Sequence, residues 1–180
     1  MSILKFFVIG EMFIFTLYVS PAISSDCFDG FDASKFLAQF EEGYSKYKSY
    51  DSGRICEVFS RTDSQDNFNV ATYNVSYRGY GSVPNQTKTQ LRSFEVQSPP
   101  SLVLLKDPTK GSLVLNMTWI YSEPGTCAIV RNNGSPSRCS LYVLTDTSDD
   151  DINRCLSFLP RFCGNRLYVG GTPSECLGRK

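Results

Sequence analysis

The sequence predicts an all-β protein framed by a helix at each end, and three observations carry that expectation. Beyond residue 47 apolar side chains fall at every second position, the period of a half-buried strand. Runs of that kind recur along the chain, separated by turn chemistry such as Gly-Ser-Val-Pro, Pro-Pro, Asp-Pro-Thr-Lys-Gly, Glu-Pro-Gly and Asn-Asn-Gly-Ser-Pro. The seven cysteines sit on a chain that opens like a secreted protein, which predicts a disulfide framework. Serial short strands at this spacing suit an up-and-down barrel or a sandwich.

Residues 1–24 read as a secretory signal. Lys5 supplies the positive start, residues 6–19 form an apolar run interrupted by Glu11, and Ala22-Ile23-Ser24 is a small-x-small cleavage site. The run falls short of the roughly 20 residues that a membrane span needs, and no later stretch approaches that length. Residues 25–180 then form a single domain able to bury a real core. Residues 31–47 have helical spacing, with Asp32 as N-cap and Phe36, Leu37, Phe40 and Tyr44 on one face; Gly43 weakens the end. Strands are expected at 54–61, 67–78, 87–97, 102–106, 112–121, 126–131 and 138–145, and a weaker one at 44–50 would make eight. A second helix spans 148–162, where Asp149, Asp150 and Asp151 suit the N-terminal dipole and Pro160 ends or kinks it.

Sequons fix the phase of two strands. Asn74, Asn85, Asn116 and Asn133 each head an Asn-x-Ser/Thr triplet, the last weakened by Pro136. A glycosylated Asn points outward, and side chains alternate across a strand. Asn116 outward sends Leu113, Leu115, Met117, Trp119 and Tyr121 inward. Asn74 outward sends Ala71, Tyr73, Val75 and Tyr77 inward. Both inward sets are apolar or aromatic. Eight strands enclose either a filled core or room for one small ligand. The inward tyrosines favour a cavity, because each hydroxyl needs a partner that a dry core does not supply.

Several function classes drop out. Lys+Arg and Asp+Glu balance at 18 each, so nothing points to nucleic acid or an anionic membrane surface. The chain has no histidine, which removes His-activated nucleophiles and the commonest metal ligand. No nucleophile elbow, phosphate-cradling glycine loop or zinc spacing is present, and we read no enzyme and no cofactor. In an oxidising compartment Cys155 and Cys163 each suit a disulfide bridge rather than a metal site. The Asp149, Asp150 and Asp151 run is a solvated helix start rather than a calcium site. Glu57 either stands at the rim in water or faces in with Ile55 and Phe59, where it would neutralise or meet a cationic ligand.

The last third carries a recognisable pattern: C-A-I-V from Cys127, C-S-L-Y-V from Cys139, C-x7-C-G from Cys155, and a terminal Cys176. It resembles the C-terminal signature of tick salivary lipocalins, the family that includes histamine-binding proteins. The resemblance implies an eight-stranded antiparallel lipocalin-type barrel with an N-terminal and a C-terminal helix. By analogy with the family it implies bridges Cys56–Cys176 and Cys127–Cys155; Cys139–Cys163 is a third choice that leaves Cys27 unpaired. Amine-binding members resemble one another in Cys-Asp-aliphatic on one strand and Glu-Leu-aromatic on the next. Here Cys127, Ile129, Leu141, Tyr142 and Cys155 match, but Ala128 and Ser140 stand at the acidic positions. The N-terminal Asp-Ala-Trp of relatives is Asp32-Ala33-Ser34. An ammonium drawn into a barrel needs a carboxylate, so this site suits a lipophilic ligand such as a sterol, fatty acid or eicosanoid. The ligand would meet Glu57, Tyr73, Val75, Tyr77, Leu115, Met117, Trp119, Tyr121, Ala128, Ser140 and Tyr142, and Trp119 fluorescence would report its uptake. The compact chain, its sequons and the missing acids are similar to the japanin-like branch, which implies action on host dendritic cells. Two other readings stand beside it. One is an amine scavenger using Glu57 or Glu95, and the other is an inhibitor of a host protein such as a complement component. We expect a secreted, glycosylated monomer.

Overall fold

The computed structural model describes residues 31–79, 86–134, 138–171 and 175–176. The signal at 1–24, Cys27 and the sequon Asn85 lie outside the described residues. Helix α1 (Ala33–Gln39) is followed by strands β1 (Glu42–Lys48), β2 (Ile55–Gln65), β3 (Val70–Arg78), β4 (Lys88–Val96), β5 (Leu102–Asp107), β6 (Ser112–Glu123), β7 (Cys127–Asn132) and β8 (Cys139–Leu144). Helices α2 (Asp149–Leu156) and α3 (Leu159–Cys163) and a short strand β9 (Tyr168–Val169) complete the chain. Each of β2 to β7 pairs antiparallel with the next, and β1 pairs with both β8 and β2. The eight strands therefore close into a barrel.

The first helix is shorter than its periodicity suggests. Asp32 caps it, its carboxylate accepting from the Ser34 amide at 3.0 Å. The Arg61 guanidinium closes the other end by donating to the Leu37 and Ala38 carbonyls at 2.7 and 3.1 Å. Phe36, Leu37 and Phe40 face the barrel, but Tyr44 belongs to β1 and packs in a different cluster. Gly43 is a packing device rather than a helix end: a Cβ there would fall on the Phe40 ring and the Val143 carbonyl. The absent side chain lets Phe40 enter the barrel floor, and the helix stops so that β1 can close the sheet.

Two clusters share the barrel wall. Inside lie Phe36, Phe40, Phe59, Tyr73, Phe94, Met117, Trp119, Ala128 and Tyr142. Outside, against α2 and α3, lie Tyr44, Val58, Ile120, Ile129, Leu141, Val143, Ile152 and Leu159. The helices cover the outer face of β7 and β8, so Cys127 to Val130 and Cys139 to Val143 are buried at every position. That double burial is why C-A-I-V and C-S-L-Y-V read as continuous apolar runs. Ser148 caps α2, accepting from the Asp151 amide at 3.2 Å, with all three aspartates in the first turn. Arg154 of α2 pairs with Glu123 of β6 at 2.5 Å and with Asp151 at 2.8 Å. The expected single helix breaks at Ser157 and Phe158, and Pro160 sits in the first turn of α3, where its missing N–H is not needed.

Three disulfides fasten the additions to the barrel: Cys127–Cys155 holds α2 on β7, Cys139–Cys163 holds α3 on β8, and Cys56–Cys176 holds the tail on β2. Cys56–Cys176 and Cys127–Cys155 are the pairings the resemblance implies, and Cys139–Cys163 is the third choice beside them. The tail does more than tether. Beyond Tyr44, β1 parts from β2, and β9 fills the fissure by pairing with Tyr47 and Lys48. The Gly170 amide donates to the Lys46 carbonyl at 2.8 Å, and its carbonyl accepts from the Cys56 amide at 2.5 Å. A Cβ on Gly170 would strike the Ser45 carbonyl, so only glycine fits the seam.

Burial pushes the Tyr44 hydroxyl up to about 12, with Asp149 and Tyr47 adding to the shift, and it also raises Tyr73. Tyr73 donates to the Phe40 carbonyl at 2.8 Å. Below a pH of about 10 these phenols are neutral in both folded and unfolded chains, and the stability is intact. Above it the unfolded chain loses its protons first, so stability falls as pH rises through about 12. The urea midpoint should be level from neutral pH to about 10 and then drop. A flat midpoint through that window would contradict the burial of these two rings.

Candidate ligand-binding site

Strand direction alternates around the barrel, so one end gathers the ends of β1, β3, β5 and β7 and the starts of β2, β4, β6 and β8. That end is the open mouth; α1 and the aromatic cluster stop the other. Phe40 stacks on Phe36 with ring centres 4.9 Å apart, and Phe94 meets Trp119 edge to face at 6.1 Å. Above this floor lies a cavity of about 360 Å³. Such a volume falls at the small end of the range of about 300–1,000 Å³ for small-molecule sites.

The cavity has an apolar lower wall and a charged rim. Phe59, Val75, Tyr77, Leu105, Leu115 and Tyr142 supply the first; Lys48, Arg54, Glu57, Arg92 and Arg138 belong to the second. Within that rim Glu57 faces inward rather than standing in open water: its side chain is 13% exposed, and Lys48 holds it at 2.8 Å. Arg54 reaches the same carboxylate at 3.4 Å and lies over the Tyr77 ring at 4.4 Å. The carboxylate that a cationic ligand would seek is therefore shared by two internal cations. Burial first, then Glu57 and Tyr50, raises the Tyr142 phenol well above its ordinary value, so it is a neutral hydrogen-bonding group in the cavity.

The expected site residues divide by position. Glu57, Val75, Tyr77, Leu115, Ser140 and Tyr142 line the cavity together. Tyr73, Met117, Trp119 and Ala128 face inward but are packed in the floor. Trp119 is therefore not a wall residue, and its indole N–H has no hydrogen-bond partner among the described residues. Tyr121 lies outside the barrel, stacked on Phe158 at 4.5 Å. Its phase is reversed by a bulge between Trp119 and Tyr121, whereas Ile120 faces outward as alternation from Trp119 places it. A second irregularity opposite Leu105 and Lys106 leaves Leu113 57% exposed where alternation sends it inward. Ile55 is likewise exposed, beyond a bulge at Cys56, whose φ is 53°. Glu95 stands beside inward Phe94 and pairs with Lys106 at 2.5 Å, so it does not reach the cavity. Asn74 and Asn116 are exposed on their strands, and Asn133 donates to Asn116 at 2.9 Å across the outer surface.

The sequence reading missed Lys48, Arg54, Gln90, Arg92, Asn132 and Arg138. A signal existed for two of them. Gln90 and Arg92 share strand parity with Phe94, whose ring points in. Polar residues on the inward phase of an otherwise apolar strand mark a lined cavity rather than a filled core.

No protein-family model matches the sequence, and no curated protein matches it. Solved structures do match. Japanin from Rhipicephalus appendiculatus bound to cholesterol superposes with a TM-score of 0.55 at 11% identity, covering 76% of this chain and 96% of that one. Apocrustacyanin C2 matches at 0.53 and 8% identity, over 78% of this chain and 81% of that one. The chain has the lipocalin fold. The AM182 serotonin complex matches at 0.50 and 12% identity, over 78% and 89% of the two chains. In the lipocalin barrel described here, the triplet Glu123, Cys127 and Cys155 brings together potential metal-binding residues, but both thiols are joined in a disulfide. Among the described residues no helix is long and apolar enough to cross a membrane.

Proposed function

We propose that this chain is a secreted lipocalin that carries a small lipophilic ligand in its barrel and modulates a host response, in the manner of the tick salivary proteins its C-terminal pattern resembles. The carrying observation is the state of the interior carboxylates. By the family resemblance Ala128 and Ser140 occupy the positions of the amine-binding acids; of the two carboxylates on the cavity, Glu57 is already held by Lys48 and Arg54, and Asp51 is exposed and accepts from the Gly53 amide. An amine would have to displace those cations or enter unpaired, and an unpaired charge in such a site costs several kcal/mol or more. The apolar wall of Phe59, Val75, Leu105 and Leu115 supports a hydrocarbon ligand. Japanin, bound to cholesterol, shares the lipocalin fold, and it supports the lipid reading.

Native mass spectrometry of the secreted protein, followed by solvent extraction, tests this directly. A lipid should be recovered. Calorimetric titration with histamine and with serotonin should give no saturable heat, and tight binding of either would move the amine-scavenger reading ahead. Ser140→Glu places a third carboxylate in the cavity wall and should weaken lipid uptake by tenfold or more, because the new charge is desolvated against hydrocarbon at a cost above about 1.4 kcal/mol.

A further inference from the structure

We propose that the ligand is an acid, a single-chain amphiphile whose carboxylate is held at the mouth by Arg92 and Arg138 while its tail lies on Phe59, Val75, Leu105 and Leu115; this rests on the lipophilic-ligand reading above.

The rim is not neutral. Four cationic side chains, Lys48, Arg54, Arg92 and Arg138, face the cavity against two carboxylates, Asp51 and Glu57. Asp107 reaches Arg92 at 3.7 Å from outside the lining, and a cationic surplus remains. One wall joins two of these groups. Arg54 lies over the Tyr77 ring, the Tyr77 hydroxyl accepts from Gln90 at 2.9 Å, and Gln90 in turn accepts from Arg92. Immediately before β8, Arg138 lies over the Tyr50 ring at 5.5 Å, and no described contact gives it a carboxylate. A neutral lipid filling this cavity would strip water from guanidinium groups without replacing it. A cation would meet like charge. A carboxylate satisfies the planar guanidinium fork and neutralises the surplus. The low volume, with the floor occupied by aromatic rings, fits a narrow chain better than a rigid ring system.

The test uses one tail with three heads. Dodecanoate, dodecanol and dodecylammonium are titrated into the secreted protein, stripped of lipid, under the same buffer and salt. We expect dodecanoate to bind about tenfold or more tighter than dodecanol, and dodecylammonium to bind more weakly than either. Arg92→Gln and Arg138→Gln should each weaken dodecanoate and narrow the gap between acid and alcohol by about threefold or more, without weakening dodecanol. A wild-type melting transition checks that each variant has folded. Equal binding of acid and alcohol would overturn the proposal while leaving a lipophilic barrel intact. Preference for dodecylammonium would overturn it in favour of an amine site. If none of the three binds, both this inference and the lipophilic reading fail.

Discussion

Phe40→Ala should lower the unfolding free energy by about 3–5 kcal/mol and lengthen the ligand cavity downward. Phe40 is 1% exposed and contacts Phe36, Phe59, Tyr73 and Tyr142, so its removal leaves a space enclosed by rings that cannot collapse into it. Two of those neighbours, Phe59 and Tyr142, line the cavity from above. The void and the cavity would then merge. For a domain of this size the melting temperature should fall by roughly 6–20 °C. Ligand selectivity should change in the same variant, with longer acyl chains gaining affinity relative to dodecanoate. The exposed Leu113 is the control, and Leu113→Ala should shift stability by no more than about 0.5 kcal/mol. A variant that melts with the wild type would mean that Phe40 does not stop the barrel.

The barrel was legible because its code is local. Period-two runs and turn residues mark each of β2 to β8 within a few positions, and Asn74 outward correctly orders Ala71, Tyr73, Val75 and Tyr77. Where alternation fails, a bulge is the cause, and nothing in residues 112–121 announces the two irregularities of β6. The boundary between α1 and β1 was hidden for a different reason. Phe36, Phe40 and Tyr44 keep helical spacing across it, and Gly43 looks like a terminator until the Phe40 ring is seen above it. Strand β9 is two residues long, and its partners arise from the parting of β1 and β2, a tertiary event. The cationic rim was illegible for a similar reason. Lys48 is an ordinary charge in sequence, and only closure of the barrel brings it to Glu57.

That pair gives the other large effect. Glu57→Gln should destabilise the protein by about 3–5 kcal/mol, and Lys48→Met by less. The asymmetry follows from partners. Without Glu57, the Lys48 ammonium, with its side chain 4% exposed, retains the Ser52 hydroxyl at 3.0 Å but no carboxylate among its described contacts. Without Lys48, the Glu57 carboxylate still has Arg54 at 3.4 Å. Replacing both, as Lys48→Met with Glu57→Leu, removes the uncompensated charge and should recover much of the loss, because a buried ion pair and a hydrophobic pair of similar volume differ little. Denaturant titrations of Lys48→Met, Glu57→Leu and the double form a closed cycle, whose coupling should reach about 0.5–3 kcal/mol. Additive losses would show that the two charges do not meet in the barrel. The same variants carry a functional reading. Lys48→Met leaves an interior carboxylate with one cation instead of two, so serotonin, which the wild type is expected not to bind, should begin to bind. If it does not, the Lys48 contact is not what closes this barrel to amines.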